Sequence, residues 1–226
     1  MKYKNLLFDV DDTLLDFQAA ENEALKALFQ EEGLQLTPAI KTSYQALNHQ
    51  LWQEFEQGKR QRDEVVNQRF SLLFQQFGKR VDGTKMESHY RQFLNQGHQL
   101  LGNSREIIAD LADKAELYIV TNGVSATQYQ RLTDAKLLPY FKNVFVSEDT
   151  GFQKPMKEYF DFVFERIPQF EKKETVIIGD SLTSDIEGGI QAGIDTIWLN
   201  PAKAAASIAP TYQISKLDEI YTILAE

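Results

Sequence analysis

Five short apolar runs constrain this chain more than any other feature of it. They are Leu6-Leu7-Phe8, Leu117-Tyr118-Ile119-Val120, Val144-Phe145-Val146, Val176-Ile177-Ile178 and Thr196-Ile197-Trp198-Leu199. Each ends on polar residues, and each is followed by a stretch with helical spacing. A run that is apolar at every position is a strand with no wet face. Such strands, joined through helices, form a parallel sheet covered on both sides.

The first run is separated from the other four by a long helical segment. Ala24, Leu25, Leu28 and Phe29 share one helix face, which ends near Gly33. Pro38 opens a second helix, in which Leu47, Leu51 and Phe55 recur every four residues before Gly58. Val66, Phe70, Leu73 and Phe77 mark a third, closed by Gly78, and Tyr90, Phe93, Leu94 and Leu101 suggest a fourth. These stripes predict amphipathic helices whose aromatics form a bundle core. The expected fold class is therefore α/β: a Rossmann-like parallel sheet flanked by helices, with an inserted all-helical cap domain. Residues 1–15 and 101–226 would form the core and 16–100 the insert. Within the core, helices are expected from Glu106 to Ala112, Ser125 to Ala135, Lys157 to Arg166, up to Gly193, and from Lys216 to Leu224. The alanine-rich stretch from Pro201 to Pro210 reads as a surface connection.

With 226 residues, 42% hydrophobic and 12% aromatic, the chain has the material for a core. Its 24 Lys+Arg against 33 Asp+Glu give a net charge of -9. That argues against a nucleic-acid polymer or an anionic membrane as the main partner. A phosphorylated small molecule stays open, because a local pocket can oppose the overall sign. There are no cysteines, which excludes disulfides, zinc–thiolate sites and thiol nucleophiles. The apolar run before Asp9 is too short for a signal peptide, and no stretch approaches the roughly 18 apolar residues of a membrane span. A soluble cytoplasmic protein is expected.

In open parallel sheets, ligands bind beyond the carboxyl ends of the strands. The first run delivers Asp9, Asp11, Asp12 and Thr13 there, and the second Thr121 and Asn122. The third is followed by Ser147, Glu148 and Asp149, then by Lys154-Pro155; the fourth gives Asp180, Ser181 and Asp185. Four aspartates cannot share one edge in ionised form without a counter-charge, and Lys154 alone is too little. A divalent cation resolves the conflict, and an all-oxygen set suits Mg²⁺ rather than zinc. Lys154 and the Thr121 hydroxyl remain to receive an anion. A carboxylate nucleophile, a cation and a phosphate cradle together indicate phosphoryl transfer through an aspartyl-phosphate. In that scheme Asp9 is the nucleophile. Asp11 protonates the leaving alkoxide and then serves as base toward water. It does so best with its side chain toward the leaving group and only its backbone carbonyl toward the metal.

Each residue also has a plainer reading. An Asp after a strand is the ordinary residue of a turn or helix cap, and Thr121 and Lys154 alone would be a cap and a solvated lysine. The set in its order is what points to chemistry. Ser125 lacks the final glycine of a nucleophile elbow. Gly188, Gly189 and Gly193 do not form a nucleotide loop, and fit helix packing and termination. His49, His89 and His98 fall in the helical insert without metal-like pairing.

The order Asp9-x-Asp11-x-Thr13, Thr121-Asn122, Lys154-Pro155, Gly179-Asp180-Ser181-x-x-x-Asp185 resembles the four motifs of the haloacid-dehalogenase-like superfamily. The helical insert resembles its type 1 cap. Asp11 makes the chain look like a phosphatase rather than a dehalogenase. Val120-Thr121-Asn122-Gly123, Gly151-Phe152-Gln153-Lys154-Pro155, Tyr159-Phe160-Asp161, Arg166-Ile167-Pro168 and Trp198-Leu199-Asn200-Pro201 look like the pyrimidine 5'-nucleotidase branch. That branch removes phosphate from nucleoside monophosphates, including non-standard pyrimidines. The resemblance implies Asp9 as nucleophile and metal ligand, and Asp11 as acid/base with a backbone metal contact. It implies Thr121, Asn122 and Lys154 as phosphate binders, Asp180 as metal ligand and Asp185 as support of the metal shell. Mg²⁺ is the implied cofactor, with Mn²⁺ tolerated. The same motifs also serve sugar-phosphate and phosphoglycolate phosphatases and phosphomutases. Outside enzymes, a phospho-receiver domain uses a similar cluster without needing Asp11, and a catalytically silent binding protein is a further alternative. Specificity would lie in the cap, where Lys59, Arg60, Arg62, Trp52 and Phe55 are either substrate-reading residues or a solvated loop and packed core.

Overall fold

In the computed structural model, which describes residues 1–225, the chain divides into two compact units. One comprises Met1–Phe17 together with the chain from His98 on; the other is Gln18–Gly97. In chain order the first strand is β1 (Asn5–Phe8), followed by α1 (Phe17–Glu31), α2 (Pro38–Glu56), α3 (Arg62–Gln76) and α4 (Gly83–Leu94). Then come α5 (Ser104–Ala112), β2 (Glu116–Thr121), α6 (Ser125–Asp134), β3 (Asn143–Val146), the short α7 (Ser147–Thr150) and α8 (Lys157–Phe164). The chain closes with β4 (Thr175–Gly179), a π-helical turn (Leu182–Glu187) running into α9 (Gly188–Ala192), β5 (Asp195–Leu199), β6 (Tyr212–Ile214) and α10 (Ile220–Leu224).

The five apolar runs are strands of one sheet, in the order β3-β2-β1-β4-β5-β6, and every neighbouring pair is parallel. β1 and β4 are buried at every position. Alternate residues feed opposite faces, as strand geometry requires. Leu6, Phe8, Ile119, Val176 and Ile178 join Ile107, Ile108 and Leu111 of α5, Leu132 of α6 and Ile220 of α10. Leu7, Tyr118, Val120, Phe145 and Ile177 meet Tyr159, Phe160 and Val163 of α8. Each such side chain contributes roughly 1.5–3 kcal/mol on burial, so neither face can be left uncovered. β1 lies between β2 and β4. The chain builds outward on one side, through β2 and β3, and then crosses back to lay β4 on the other. Beyond the carboxyl end of β1 is therefore the topological switch point, where this architecture opens a crevice.

β6 was not expected. It is three residues long and lies at the edge, with Gln213 exposed, too short to stand out by pattern. The stretch before it is largely exposed, and the Asn200 side chain fixes its start by pairing with both the N–H and the C=O of Ala204.

In the helical unit, Tyr44, Phe70 and Tyr90 pack ring on ring, as do Phe29 and Phe74. Two expectations are corrected. Phe77 is 40% exposed, because α3 stops at Gln76 and Phe74 takes the core-facing place. Leu101 lies outside α4 and belongs to the sheet unit, where its N–H donates to the Leu14 carbonyl (2.9 Å). The unit also buries a cation: Arg69 donates to Glu87 and Asn48 and lies 4.5 Å from the Tyr90 ring centroid. Phe55 and Trp52 pack edge to face in a local cluster with Leu51 and Val65, and Arg60 pairs with Glu54. Among the described residues, no helix is long and apolar enough to cross a membrane.

Candidate active site

The chain leaves β1 through a tight turn. Asp9 is still tied to β4 by its N–H, which donates to the Ile178 carbonyl (2.9 Å). The Val10 carbonyl then accepts from Leu14 and Leu15, and Asp12 takes a left-handed conformation with φ of 56°. That conformation suits a short polar residue. The Asp12 carboxylate accepts the N–H of Phe17 and so opens α1 (3.0 Å). Within this turn Asp9 and Asp11, two residues apart, send their carboxylates to different partners.

Asp9 meets Lys154, which is 1% exposed. The Lys154 ammonium donates to Asp9 Oδ1 (2.8 Å), Asp185 Oδ1 (2.6 Å) and the Val120 carbonyl (2.7 Å). All three of its protons are thus committed, so it would act on an anion at Asp9 chiefly as a nearby charge. Burial alone would lower its pKa, but Asp185 and Asp9 outweigh that and raise it. Asn122 holds the same lysine from behind. Its amide donates to the Lys154 carbonyl and accepts the Lys154 N–H, both at 2.9 Å. The Asn122 side chain is therefore a clamp on the Lys154 backbone.

Asp185 comes from the π-helical turn. There the Ser181 carbonyl accepts from both Asp185 and Ile186 (3.1 Å each), the widened geometry often found at functional sites. Asp185 Oδ2 in turn accepts the Ser181 N–H (3.1 Å). Gly179 makes this approach possible: a Cβ there would lie 2.7 Å from the Asp185 Cβ and closer still to its carboxylate. Trp198 of β5 donates its indole N–H to the Asp180 carbonyl (2.7 Å).

Asp9, Asp180 and Asp185 each bring a carboxylate oxygen within 4.8 Å of the others. Burial pushes the Asp9 carboxyl up to about 7; Lys154 opposes this, while Asp185 and Asp11 add to it. Asp180 is raised well above the ordinary carboxylate range, first by burial and then by Asp9, Asp185 and Asp12. A cluster that drives its own carboxyls toward protonation is short of positive charge. Its donors are all oxygens, which suits a hard divalent cation. Asp11 is not part of this group.

Asp11 instead turns to α6, which begins where the Ser125 N–H donates to Glu148 (2.7 Å). Asp11 Oδ2 accepts from Gln128 Nε2 (2.7 Å), and Oδ1 pairs with Arg131. Gln128 Nε2 also donates to Thr121 Oγ1 (2.9 Å), which accepts the Gly123 N–H as well (3.1 Å). With both acceptor positions of the Thr121 hydroxyl taken, its proton is what it has left to offer an anion.

The family model described as haloacid dehalogenase-like hydrolase matches residues 6–199, the whole span that carries these groups. The chain belongs to this family. It is 57% identical over 225 residues to the HAD-hydrolase YfnB of Bacillus subtilis, covering 99% of this chain and 96% of the relative. The crystal structure of YfnB, bound to magnesium and described as revealing interdomain movement, superposes with a TM-score of 0.97 over 100% of both chains. The pyrimidine 5'-nucleotidase PynA of Streptococcus pneumoniae is 42% identical over 227 residues, with 99% and 96% covered. The pyrimidine 5'-nucleotidase YjjG of Escherichia coli is 29% identical over 228 residues, with 100% of each chain covered.

Three residues of this hydrolase were missed by the sequence reading: Gln128, Arg131 and Trp198. Gln128 and Arg131 are one helical turn apart and each 1% exposed. The available signal was a helix start, Ser125-Ala126-Thr127-Gln128-Tyr129-Gln130-Arg131-Leu132, with too few apolar residues for an element that must cover a sheet. Trp198 was read as part of an apolar strand and of a segment resembling the nucleotidase branch, but its indole N–H still required a partner.

Proposed function

We propose that this hydrolase is a Mg²⁺-dependent phosphatase of nucleoside 5'-monophosphates, pyrimidine ones including non-standard bases, working through an aspartyl-phosphate. The observation that carries the reading is the separate anchoring of two neighbouring carboxylates, Asp9 by Lys154 and Asp11 by Arg131. The names and identities of PynA and YjjG support the substrate class, and the magnesium-bound YfnB supports the cofactor.

In this mechanism Lys154 orients Asp9 and opposes its protonation, and an ionised Asp9 oxygen attacks phosphorus. The bond from phosphorus to the nucleoside oxygen breaks, and Asp11 transfers its proton to that oxygen. Asp11, now a carboxylate, takes a proton from the water that attacks the acyl-phosphate, which frees inorganic phosphate and restores Asp9. Thr121 donates its hydroxyl to a phosphoryl oxygen. Asp9, Asp180 and the Asp11 backbone carbonyl would hold Mg²⁺ with Asp185 in support; when bound, it neutralises the carboxylates and draws charge from the phosphoryl group. The helical unit would act as the cap that selects the leaving nucleoside, and the reaction would take place in the cytoplasm on free nucleotides.

The test is a panel of monophosphates assayed with and without EDTA, beside Asp9→Asn. The expected result is phosphate release from dUMP and dTMP that is lost on chelation and in the variant. Fast release from sugar phosphates with none from dUMP or dTMP would overturn the substrate class, and an unchanged rate in Asp9→Asn would overturn the mechanism.

A further inference from the structure

We propose that Gln128 and Arg131 are a positioning pair for the leaving-group acid, holding Asp11 away from the metal carboxylates and linking it to the phosphate-binding Thr121. The inference rests on the reading of Asp11 as acid/base given above. Four contacts join the set: Arg131 to Asp11 Oδ1, Gln128 Nε2 to Asp11 Oδ2 (2.7 Å), Gln128 Nε2 to Thr121 Oγ1 (2.9 Å) and Arg131 Nη1 to Gln128 Oε1 (3.2 Å). Both oxygens of Asp11 are held, and one amide group touches both the acid and the hydroxyl that faces the anion.

The pair is built into the core. A guanidinium and an amide occupy buried positions of α6 where leucine would carry less desolvation cost. The Phe17 ring lies 5.6 Å from the Arg131 guanidinium carbon. Gly123 leaves the space Gln128 needs, since a Cβ there would come within 2.7 Å of the Gln128 amide carbon. Asp11 itself is 30% exposed at its side chain, so its direction is set by these buried donors and not by packing. The two donors hold its carboxylate apart from the Asp9–Asp180–Asp185 group, where a fourth carboxylate would only add to the repulsion.

The test compares two substrates that need a proton to different degrees. An alkyl ester such as dUMP requires protonation of its leaving group, whereas p-nitrophenyl phosphate leaves as a stable phenolate. In Gln128→Leu, and separately in Arg131→Lys, kcat on dUMP should fall by about 10²-fold, the scale of a general acid's contribution, with KM changed much less. The pre-steady-state burst of p-nitrophenolate should stay within a few-fold of wild type. In an Asp11→Asn background, Gln128→Leu should cost no more than a few-fold on dUMP, what the Thr121 contact contributes, because the pair acts chiefly through Asp11. Equal losses on both substrates, an additive loss in the double variant, or an unaffected dUMP rate would each overturn the pair. If dUMP is not a substrate, the best alkyl phosphate from the panel takes its place. If the wild type cleaves no phosphate ester at all, the reading of the site falls first and the pair with it, an outcome distinct from selective loss in the variants.

Discussion

Replacing Lys154 by methionine removes the ammonium while keeping most of the stem. Its three acceptors are Asp9 Oδ1 at 2.8 Å, Asp185 Oδ1 at 2.6 Å and the Val120 carbonyl at 2.7 Å, and all three lose their donor. Asp185 keeps the Ser181 N–H, but Asp9 loses the Lys154 cation that opposes its burial. Removing one partner of a buried ion pair costs about 3–5 kcal/mol, because the other charge is left behind. At about 2–4 °C per kcal/mol for a chain of this size, that is a fall in Tm of roughly 6–20 °C. The pH dependence has a definite sign. Asp9 already titrates near 7 in the folded chain, well above its ordinary 3.8, so the native state holds a proton that the unfolded state has given up. Stability therefore falls as pH rises through that window and recovers as it is lowered. In Lys154→Met the native carboxyls bind protons more readily still, so the deficit against wild type should be largest at about pH 8 in EDTA and shrink at about pH 5.5. Thermal unfolding by circular dichroism at both pH values is the assay. A variant within about 2 °C of wild type at the higher pH would refute the claim that Lys154 is the counter-charge of this cluster.

Gly179→Ala should cost about 1–3 kcal/mol by forcing Asp185 off its place, and calorimetry should show the loss shared with Lys154→Met and not added to it. Trp198→Phe removes the bond to the Asp180 carbonyl at a cost of about 1 kcal/mol, and should weaken Mg²⁺ binding roughly tenfold, read from the Mg²⁺ dependence of Tm.

What could be read from the sequence follows from what a one-dimensional pattern preserves. β1 and β4 were legible because their central runs, Leu6-Leu7-Phe8 and Val176-Ile177-Ile178, are apolar at every position, and such a run has one structural meaning when helices follow it. Strand ends were legible too, so the meeting of Asp9, Lys154, Asp180 and Asp185 could be anticipated from order alone. β6 could not, because Tyr212-Gln213-Ile214 is half wet and pairs on one side only. Leu101 continued an apolar spacing without continuing the helix, since its backbone was needed beside Leu14. Asn122 stood in the right place, yet its amide faces back to Lys154, and side-chain direction is not written in spacing. Gln128 and Arg131 were hidden for a further reason. A polar residue on a helix reads as solvated, and only the tertiary fold reveals that this face of α6 lies against the turn after β1.

The two aspartates are close in sequence and joined by one backbone, so nothing local could give them different chemistry. The difference comes from afar. Lys154, supplied by the loop after β3, gathers Asp9 and Asp185 at buried positions. Arg131, supplied by the helix after β2, draws Asp11 outward to where its side chain keeps 30% exposure. Both cations reach β1 because the sheet order puts β2 beside it and lays β4, with Asp180 and Asp185, on its other side. In the proposed mechanism the nucleophile has to be oriented and sheltered, while the acid has to reach both the leaving group and the attacking water. The sheet's switch point separates the two within three residues of chain by giving each carboxylate its own cation, the arrangement that mechanism would require.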